Sequence, residues 1–196
     1  AAMYTGERIS PDGNFIMITT IQKPFSYIVP LYRFPSKTVV YDKNGAEIKT
    51  VNEVPLSEIM PKGFMAVRNG KREMNWRNDK PATLFYAVAL DEGDPANKVD
   101  FRDELFLWDA PFTTNPVSMA KTPQRFGDII WGNETNAIVT DQWYDTRNTK
   151  TYLINPSDVN QKAKIISDRN SQDIYADPGN FETKKNQYNK QVLAIE

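Results

Sequence analysis

Short runs of Val, Ile, Thr and aromatic residues recur along the chain, and Pro, Gly, Asn and Asp separate them. Such runs predict β-strands, and almost no stretch has a helical period. The predicted strands are 14–21, 37–42, 46–51, 83–90, 104–109, 117–121, 126–131, 137–143, 149–155, 163–168 and 191–195. The only candidate for a helical turn is 56–60, which Pro61 ends. The pattern therefore predicts an all-β fold.

The clearest hairpin joins 37–42 to 46–51 through Lys43-Asn44-Gly45. Asn-Gly suits the positive φ angles of a type I′ turn, so this turn type is predicted. The second arm alternates apolar and charged residues, as a half-buried strand does. The near-continuous apolar run at 83–90 instead predicts a strand that is buried on both faces.

A weak repeat runs through these strands. Each repeat begins with a hydrophobic residue, which is Ile9, Trp76 or Trp131. A polar tight turn and then a buried strand follow that residue. Four strands per unit, recurring at similar spacing, are typical of a β-propeller. We therefore expect one partial propeller domain of about three four-stranded antiparallel blades, with approximate bounds 10–75, 76–130 and 131–190. Trp76 and Trp131 should pack between neighbouring sheets. A β-sandwich of unrelated strands is the alternative.

Composition excludes several functions. The 196 residues include 24 Lys+Arg and 25 Asp+Glu, so no basic excess exists to neutralise nucleic acid. His and Cys are both absent, which excludes a Ser-His-Asp triad, a Cys-His pair and a Cys/His zinc site. No cofactor or metal site is predicted. Asp42-Lys43-Asn44-Gly45 is interpreted as a turn, and 91–95 as a solvated acidic loop. No apolar run has the length of a membrane helix, and no signal peptide is recognised.

Arginines are the remaining candidates for binding. Arg68 and Arg72 flank Asn69-Gly70-Lys71, which is either a polar turn or a contact for a carboxylate. Arg33, before Phe34-Pro35, and Arg125, before Phe126, are expected to anchor loops by stacking and backbone hydrogen bonds.

An ordered series of short motifs also carries a resemblance that covers most of the chain. It includes Ser10-Pro11-Asp12-Gly13, Pro24-Phe25-Ser26-Tyr27-Ile28-Val29-Pro30, Arg33-Phe34-Pro35, Val40-Tyr41-Asp42, Asn75-Trp76-Arg77, Pro81-Ala82-Thr83-Leu84, Ala89-Leu90-Asp91, Asp109-Ala110-Pro111-Phe112, Trp131-Gly132, Thr146-Arg147 and Asp177-Pro178-Gly179. In this series the chain resembles the β-propeller of glutamyl endopeptidase-like serine peptidases in the prolyl oligopeptidase family.

The resemblance implies a parent protein with a C-terminal α/β-hydrolase domain that contains the catalytic Ser, Asp and His. No Gly-x-Ser-x-Gly motif occurs here, so no catalytic residue is assigned. The propeller of such enzymes restricts access to the active site. The resemblance also implies that the parent protein prefers to cleave peptides after acidic residues. Arg33, Arg68 and Arg72 are the candidates for binding the acidic side chain. A periplasmic or secreted location is expected from bacterial relatives.

Both ends of the sequence suggest a piece of a longer protein. Blades that lack neighbours would leave apolar flanks, so self-association or poorly ordered terminal segments are expected. The alternative function is a stand-alone propeller or sandwich that acts as a binding module of the cell envelope.

Overall fold

The computed structural model describes residues 2–195, which form strands, turns and one 3₁₀ turn at Leu31–Arg33. The strands are β1 (Met3–Ile9), β2 (Phe15–Ile21), β3 (Ser36–Asp42), β4 (Glu47–Val54), β5 (Lys71–Trp76), β6 (Thr83–Ala89), β7 (Asp103–Asp109), β8 (Val117–Thr122), β9 (Arg125–Trp131), β10 (Ala137–Trp143), β11 (Asn148–Ile154), β12 (Lys164–Asn170), β13 (Thr183–Lys185) and β14 (Gln191–Leu193). No helix in this described part has the length and hydropathy of a membrane span.

The strands form three four-stranded sheets and a hairpin. The first sheet has the order β1-β2-β3-β4, the second β5-β6-β7-β8 and the third β9-β10-β11-β12, while β13 pairs with β14. Every pairing is antiparallel and joins strands that are consecutive in sequence. Each sheet is therefore a simple meander, which is the architecture of a propeller blade. The predicted fold class is confirmed.

The sheets begin earlier than the repeat units of the sequence. They span 3–54, 71–122 and 125–170, because the first strand of each sheet precedes the tight turn at which the units were divided. Ile9, Trp76 and Trp131 are accordingly the last residues of β1, β5 and β9. Three strands, β1, β5 and β13, are missing from the predicted list. Every residue in β1 and β13 is exposed and neither strand shows an apolar alternation, while the charged start of β5 was assigned to a polar turn.

Two local predictions are wrong. Gly45 has a positive φ of 83° but Asn44 does not, so the hairpin has a three-residue loop with a left-handed glycine rather than a type I′ turn. The Asp42 carboxylate stabilises this loop by accepting hydrogen bonds from Ala46 N (2.8 Å) and Asn44 N (2.9 Å). No helical turn forms at 56–60, because Ser57 N donates to Arg33 O instead, at 3.0 Å.

Two apolar cores lie between neighbouring sheets. Trp76 packs between the first and second sheets with Val40, Val51, Leu84 and Phe112. Trp131 packs between the second and third sheets, with a set of side chains that includes Phe85, Leu105, Val139 and Tyr152. Each indole is only 4% exposed, which confirms the predicted placement of both tryptophans. Residues of β6 alternate between the two cores, which explains its continuous apolar sequence.

The outer flank of the first sheet has no such partner in the described residues. Ile9 occupies the position of Trp76 and Trp131 in its own sheet but is 57% exposed, because no sheet within residues 2–195 packs against this flank. The expected self-association through terminal blades is consistent with this exposure and stays a prediction.

The two ends of the sheets differ in their connections. In an antiparallel meander, the links β2–β3 and β4–β5 leave from the same end, and so does the link β6–β7 of the next sheet. These are the long connections 22–35, 55–70 and 90–102. They contact each other, as Val67 N donates to Gly93 O at 3.0 Å. We call this end the long-loop face.

Candidate functional site

A buried ionic network lies where β5, β7 and β9 reach the long-loop face. Arg125, the first residue of β9, donates from Nη2 to Asp91 Oδ2 (2.7 Å) and from Nη1 to Asp91 Oδ1 (3.1 Å) and Asp103 Oδ1 (3.0 Å). Arg102 Nη1 also donates to Asp91 Oδ2, at 2.9 Å. These contacts join the second sheet to the third through charge-assisted hydrogen bonds.

Asp91 belongs to the acidic loop 91–95 that was interpreted as solvated, and this interpretation is wrong for Asp91 itself. Its side chain is fully buried between the guanidinium groups. Burial opposes ionisation, but hydrogen bonds from Arg125 and Arg102 outweigh it and hold the pKa of Asp91 below its ordinary value. The loop is therefore part of a structural network.

The same network fixes Arg72. Its Nη2 donates to Asp103 Oδ1, and Asp103 Oδ2 accepts a hydrogen bond from Phe126 N at 2.7 Å. Lys71 and Arg72, assigned above to a polar turn, are in fact the first residues of β5. One side of the Arg72 guanidinium is therefore held rigidly inside the protein, and the other side faces a cavity.

That cavity brings together all three arginines predicted as substrate-binding candidates. It has a volume of about 260 Å³ and opens on the long-loop face. Its lining consists of Tyr32, Arg33, Ser57, Met60, Val67, Arg68, Arg72 and Glu73. We call it the arginine pocket.

Each arginine reaches the pocket from a different segment. Arg33 ends the 3₁₀ turn, and its carbonyl accepts the hydrogen bond from Ser57 N that ties the connection 55–70 to 22–35. Arg68 lies in the connection 55–70 and donates from Nη1 to Asn69 O (3.3 Å) and from Nη2 to Lys71 O. Backbone carbonyls, not carboxylates, hold Arg68 in place, so its positive charge is not neutralised by these contacts.

The pocket has unsatisfied hydrogen-bond donors and an excess of positive charge. Within residues 2–195, the buried Nε–H groups of Arg33 and Arg72 have no hydrogen-bond partner. Arg72 is only 6% exposed, so an unpaired donor there is costly unless a ligand accepts from it. Burial and the neighbouring charge of Arg72 lower the pKa of Arg68, while Glu73 acts in the opposite direction.

Sequence reasoning missed the role of Arg125. It does donate to backbone carbonyls, as predicted, from Nε to Met65 O (3.1 Å) and from Nη1 to Arg102 O (3.3 Å). Its carboxylate partners Asp91 and Asp103 were not anticipated. Arg125 therefore anchors the loops beside the pocket through ion pairs as well as backbone hydrogen bonds.

A further buried carboxylate, that of Asp141 on β10, has no cation among its hydrogen-bond partners in the described residues. It accepts hydrogen bonds from Gln124 N (3.0 Å), Gln124 Nε2 (3.0 Å) and Tyr152 Oη (3.2 Å). Burial raises the pKa of Asp141 above its ordinary value, and these hydrogen bonds offset only part of the effect. Asp141 is thus a structural group within the third sheet and does not line the arginine pocket.

We expect Asp141→Asn to change how stability depends on pH. A carboxyl whose pKa is raised by folding stabilises the fold most below its unfolded pKa, and this stability is lost as pH rises through the folded pKa. Asp141→Asn should therefore unfold like the unsubstituted chain near pH 3 and be at least as stable at pH 7, since the side-chain amide of Gln124, which donates to Oδ1, can flip so that its oxygen accepts from the new amide group. Urea unfolding from pH 3 to pH 8 measures this, with exposed Asp128→Asn as the control. Equal pH profiles for the Asp141→Asn variant and the parent would contradict the assignment.

Comparison with known proteins agrees with the fold and with the ordered motifs. The three four-stranded antiparallel sheets place the fold in the class of β-propeller domains. No protein-family model matches the chain. The chain is 36% identical over 195 residues to a protein of Oryza sativa subsp. japonica named probable glutamyl endopeptidase, chloroplastic. It is 35% identical over 195 residues to the protein of the same name from Arabidopsis thaliana.

These alignments cover 98% of this chain but only 21% and 20% of the two relatives. The chain thus spans about a fifth of the length of the curated proteins it matches. Among solved structures, it is similar to an acylaminoacyl peptidase of Pyrococcus horikoshii, with a TM-score of 0.47 and 13% identity over 93% of this chain and 27% of that one. The sequence similarity confirms the predicted resemblance to the propeller part of a glutamyl endopeptidase-like peptidase.

Proposed function

We propose that the chain is a non-catalytic, partial propeller domain of a glutamyl endopeptidase-like serine peptidase. In this role it controls the access of peptides to an α/β-hydrolase domain that lies outside the 196 residues. The similarity over nearly the whole chain to a fifth of each relative supports a further domain in the parent. The absence of histidine from the sequence means that the parent's general base must come from elsewhere.

The observation that carries this proposal is the concentration of binding features on the long-loop face. The long connections meet there, and connecting loops held by a rigid scaffold are where binding residues commonly lie. We assign Arg33, Arg68 and Arg72 as the residues that meet an acidic side chain of the peptide, because they line one pocket with two unpaired donors.

The same face carries exposed apolar side chains that a soluble surface rarely groups together. They are Phe25, Tyr27, Ile28, Leu31, Tyr32, Ile59 and Phe64. The side chains lie on the connections 22–35 and 55–70, which are hydrogen-bonded to each other. A grouped apolar surface indicates a contact with another part of a protein. This supports a hydrolase domain that covers the long-loop face in the parent.

The purified chain should show no hydrolysis of peptides or esters, because it has no imidazole base and no nucleophile elbow. A fluorogenic peptide with an internal Glu, incubated at micromolar chain concentration, measures this. Turnover that co-purifies with the chain and disappears in a serine variant such as Ser57→Ala would contradict the non-catalytic assignment. A parallel preparation of Ser118→Ala controls for an unrelated contaminant.

The coding sequence beyond Glu196 tests the rest of the proposal. Further blades followed by Gly-x-Ser-x-Gly and then by Asp and His would support the peptidase parent. A stop codon directly after Glu196 would favour the stand-alone binding module instead. A periplasmic or secreted location is part of the same proposal, although the names of the two plant relatives place those proteins in the chloroplast.

A further inference from the structure

We infer that Glu73 sets the affinity of the arginine pocket for a single peptide carboxylate by competing with it for the three guanidinium groups. The inference rests on the proposed function, since it takes the acidic peptide as the ligand of this pocket. It adds a residue that determines specificity and that sequence reasoning did not single out.

The pocket has the size and lining for one acidic side chain. Its volume of about 260 Å³ is below the roughly 300 Å³ at which pockets for drug-sized ligands begin. Met60 and Val67 supply apolar contact for side-chain methylenes, and the guanidiniums supply donors for the carboxylate. Because Asp103 already holds one side of Arg72, its unpaired Nε–H is preorganised for an incoming oxygen.

Glu73 has an unusual place in this lining. It lies in β5 at an irregularity of the register between Arg72 and Asn75, where a bulge directs side chains away from the regular alternation. Its φ of 54° is left-handed, which is uncommon for a residue other than glycine. Arg72, directly before Glu73, and Trp76, three residues after it, are both buried and hold the strand in place. Strain of this kind is concentrated at functional sites.

Glu73 contributes negative charge to the pocket without closing an ion pair. No carboxylate oxygen of Glu73 lies within 4.0 Å of an arginine or lysine nitrogen among residues 2–195. Its charge nevertheless acts on Arg68, where it opposes part of the lowering of the pKa by burial and by Arg72. A ligand carboxylate would therefore enter a site that is already partly neutralised, and two like charges would share it. Removing the Glu73 charge should strengthen binding.

The chain offers a matched control for this change. Glu92 is also exposed, and it also has a left-handed φ, of 58°, but it does not line the arginine pocket. Glu73→Gln and Glu92→Gln therefore remove the same charge from two positions with a similar left-handed φ. A difference between them in binding arises from position and not from net charge.

The experiment titrates the 196-residue chain with the capped peptide acetyl-Ala-Glu-Ala-amide and with its Gln counterpart. Two-dimensional ¹H–¹⁵N spectra detect Arg Nε–H signals directly, and those of Arg33 and Arg72 should shift with the Glu peptide only. We expect Glu73→Gln to bind the Glu peptide about 3- to 10-fold more tightly at low salt, with the gain reduced in high salt. Glu92→Gln should bind like the parent.

The possible outcomes distinguish the role of Glu73 from the assignment of the pocket to an acidic peptide. Equal affinities for Glu73→Gln, Glu92→Gln and the parent, with the Arg33 and Arg72 signals still shifting, would overturn only the role of Glu73. Binding that is undetectable, or unchanged in Arg33→Gln and Arg68→Gln, would overturn both the inference and the assignment of the pocket to an acidic peptide. Thermal unfolding of every variant verifies that each binding result comes from a folded chain.

Discussion

Trp76→Ala and Trp131→Ala are each expected to lower the free energy of unfolding by about 3–5 kcal/mol, the usual cost of truncating a buried tryptophan. Trp76 also donates from Nε1 to Arg8 O at 2.9 Å, so its loss removes a hydrogen bond between the first two sheets. Trp131 packs edge-on against Phe85, with ring centroids 5.5 Å apart, and Arg77 lies 4.4 Å above its ring. Each variant removes a central part of one inter-sheet core.

Urea unfolding followed by circular dichroism measures both changes, and Trp143→Ala is the matched control. Trp143 is only partly buried, at the end of β10, and should cost much less when truncated. Hydrogen exchange adds a spatial test, since Trp76→Ala should expose the first sheet and Trp131→Ala the third. If both variants unfold like the parent while peptide binding is lost, the tryptophans are binding platforms and their packing role is wrong.

The fold could be predicted from sequence wherever a strand is anchored in a core. The apolar run at 83–90 predicted burial on both faces because β6 alternates between the two cores. β1 was missed because its exposed residues carry no apolar pattern. The turn type at Asn44-Gly45 was wrong since Asp42, which caps that loop with its carboxylate, selects a longer loop than the dipeptide alone implies.

The candidate site was predictable in its residue types but not in its geometry. Arginine is the residue suited to carboxylate binding, and this chemistry singled out Arg33, Arg68 and Arg72. Their meeting in one pocket depends on loops from two connections and the start of a strand. Arg125 pairs with Asp91 and Asp103, which lie 34 and 22 residues away in sequence, and no local spacing signals such partners. The register of β5 that places Glu73 in the pocket follows from a bulge, which the polar sequence of that strand does not reveal.

Arg125→Met is expected to destabilise the chain by about 3 kcal/mol at neutral pH, because it removes the cation that two buried carboxylates share and leaves Asp91 with Arg102 alone and Asp103 with Arg72 alone. Asp91 and Asp103 are both fully buried, so water cannot replace the lost hydrogen bonds without opening the junction between the second and third sheets. Lys80→Met is the control, since it removes an ion pair whose Glu134 partner is largely exposed and should change stability little.

The pH dependence of Arg125→Met distinguishes lost ion pairs from lost packing. In the unsubstituted chain, folding lowers the pKa of Asp91. The stability that Asp91 contributes is therefore present above its unfolded pKa and is lost as pH falls through the folded pKa. In the variant, Asp91 keeps Arg102 but loses the hydrogen bonds and the charge of Arg125, so its ionised form is stabilised less. The difference in unfolding free energy between the unsubstituted chain and the variant should therefore be largest at pH 7 and shrink towards pH 3.

A double variant provides a second test. Asp91→Asn combined with Arg125→Met should recover part of the lost stability at pH 7. A difference that stays constant with pH, without recovery in the double variant, would mean that Arg125 acts by filling space between the sheets rather than by pairing with Asp91 and Asp103.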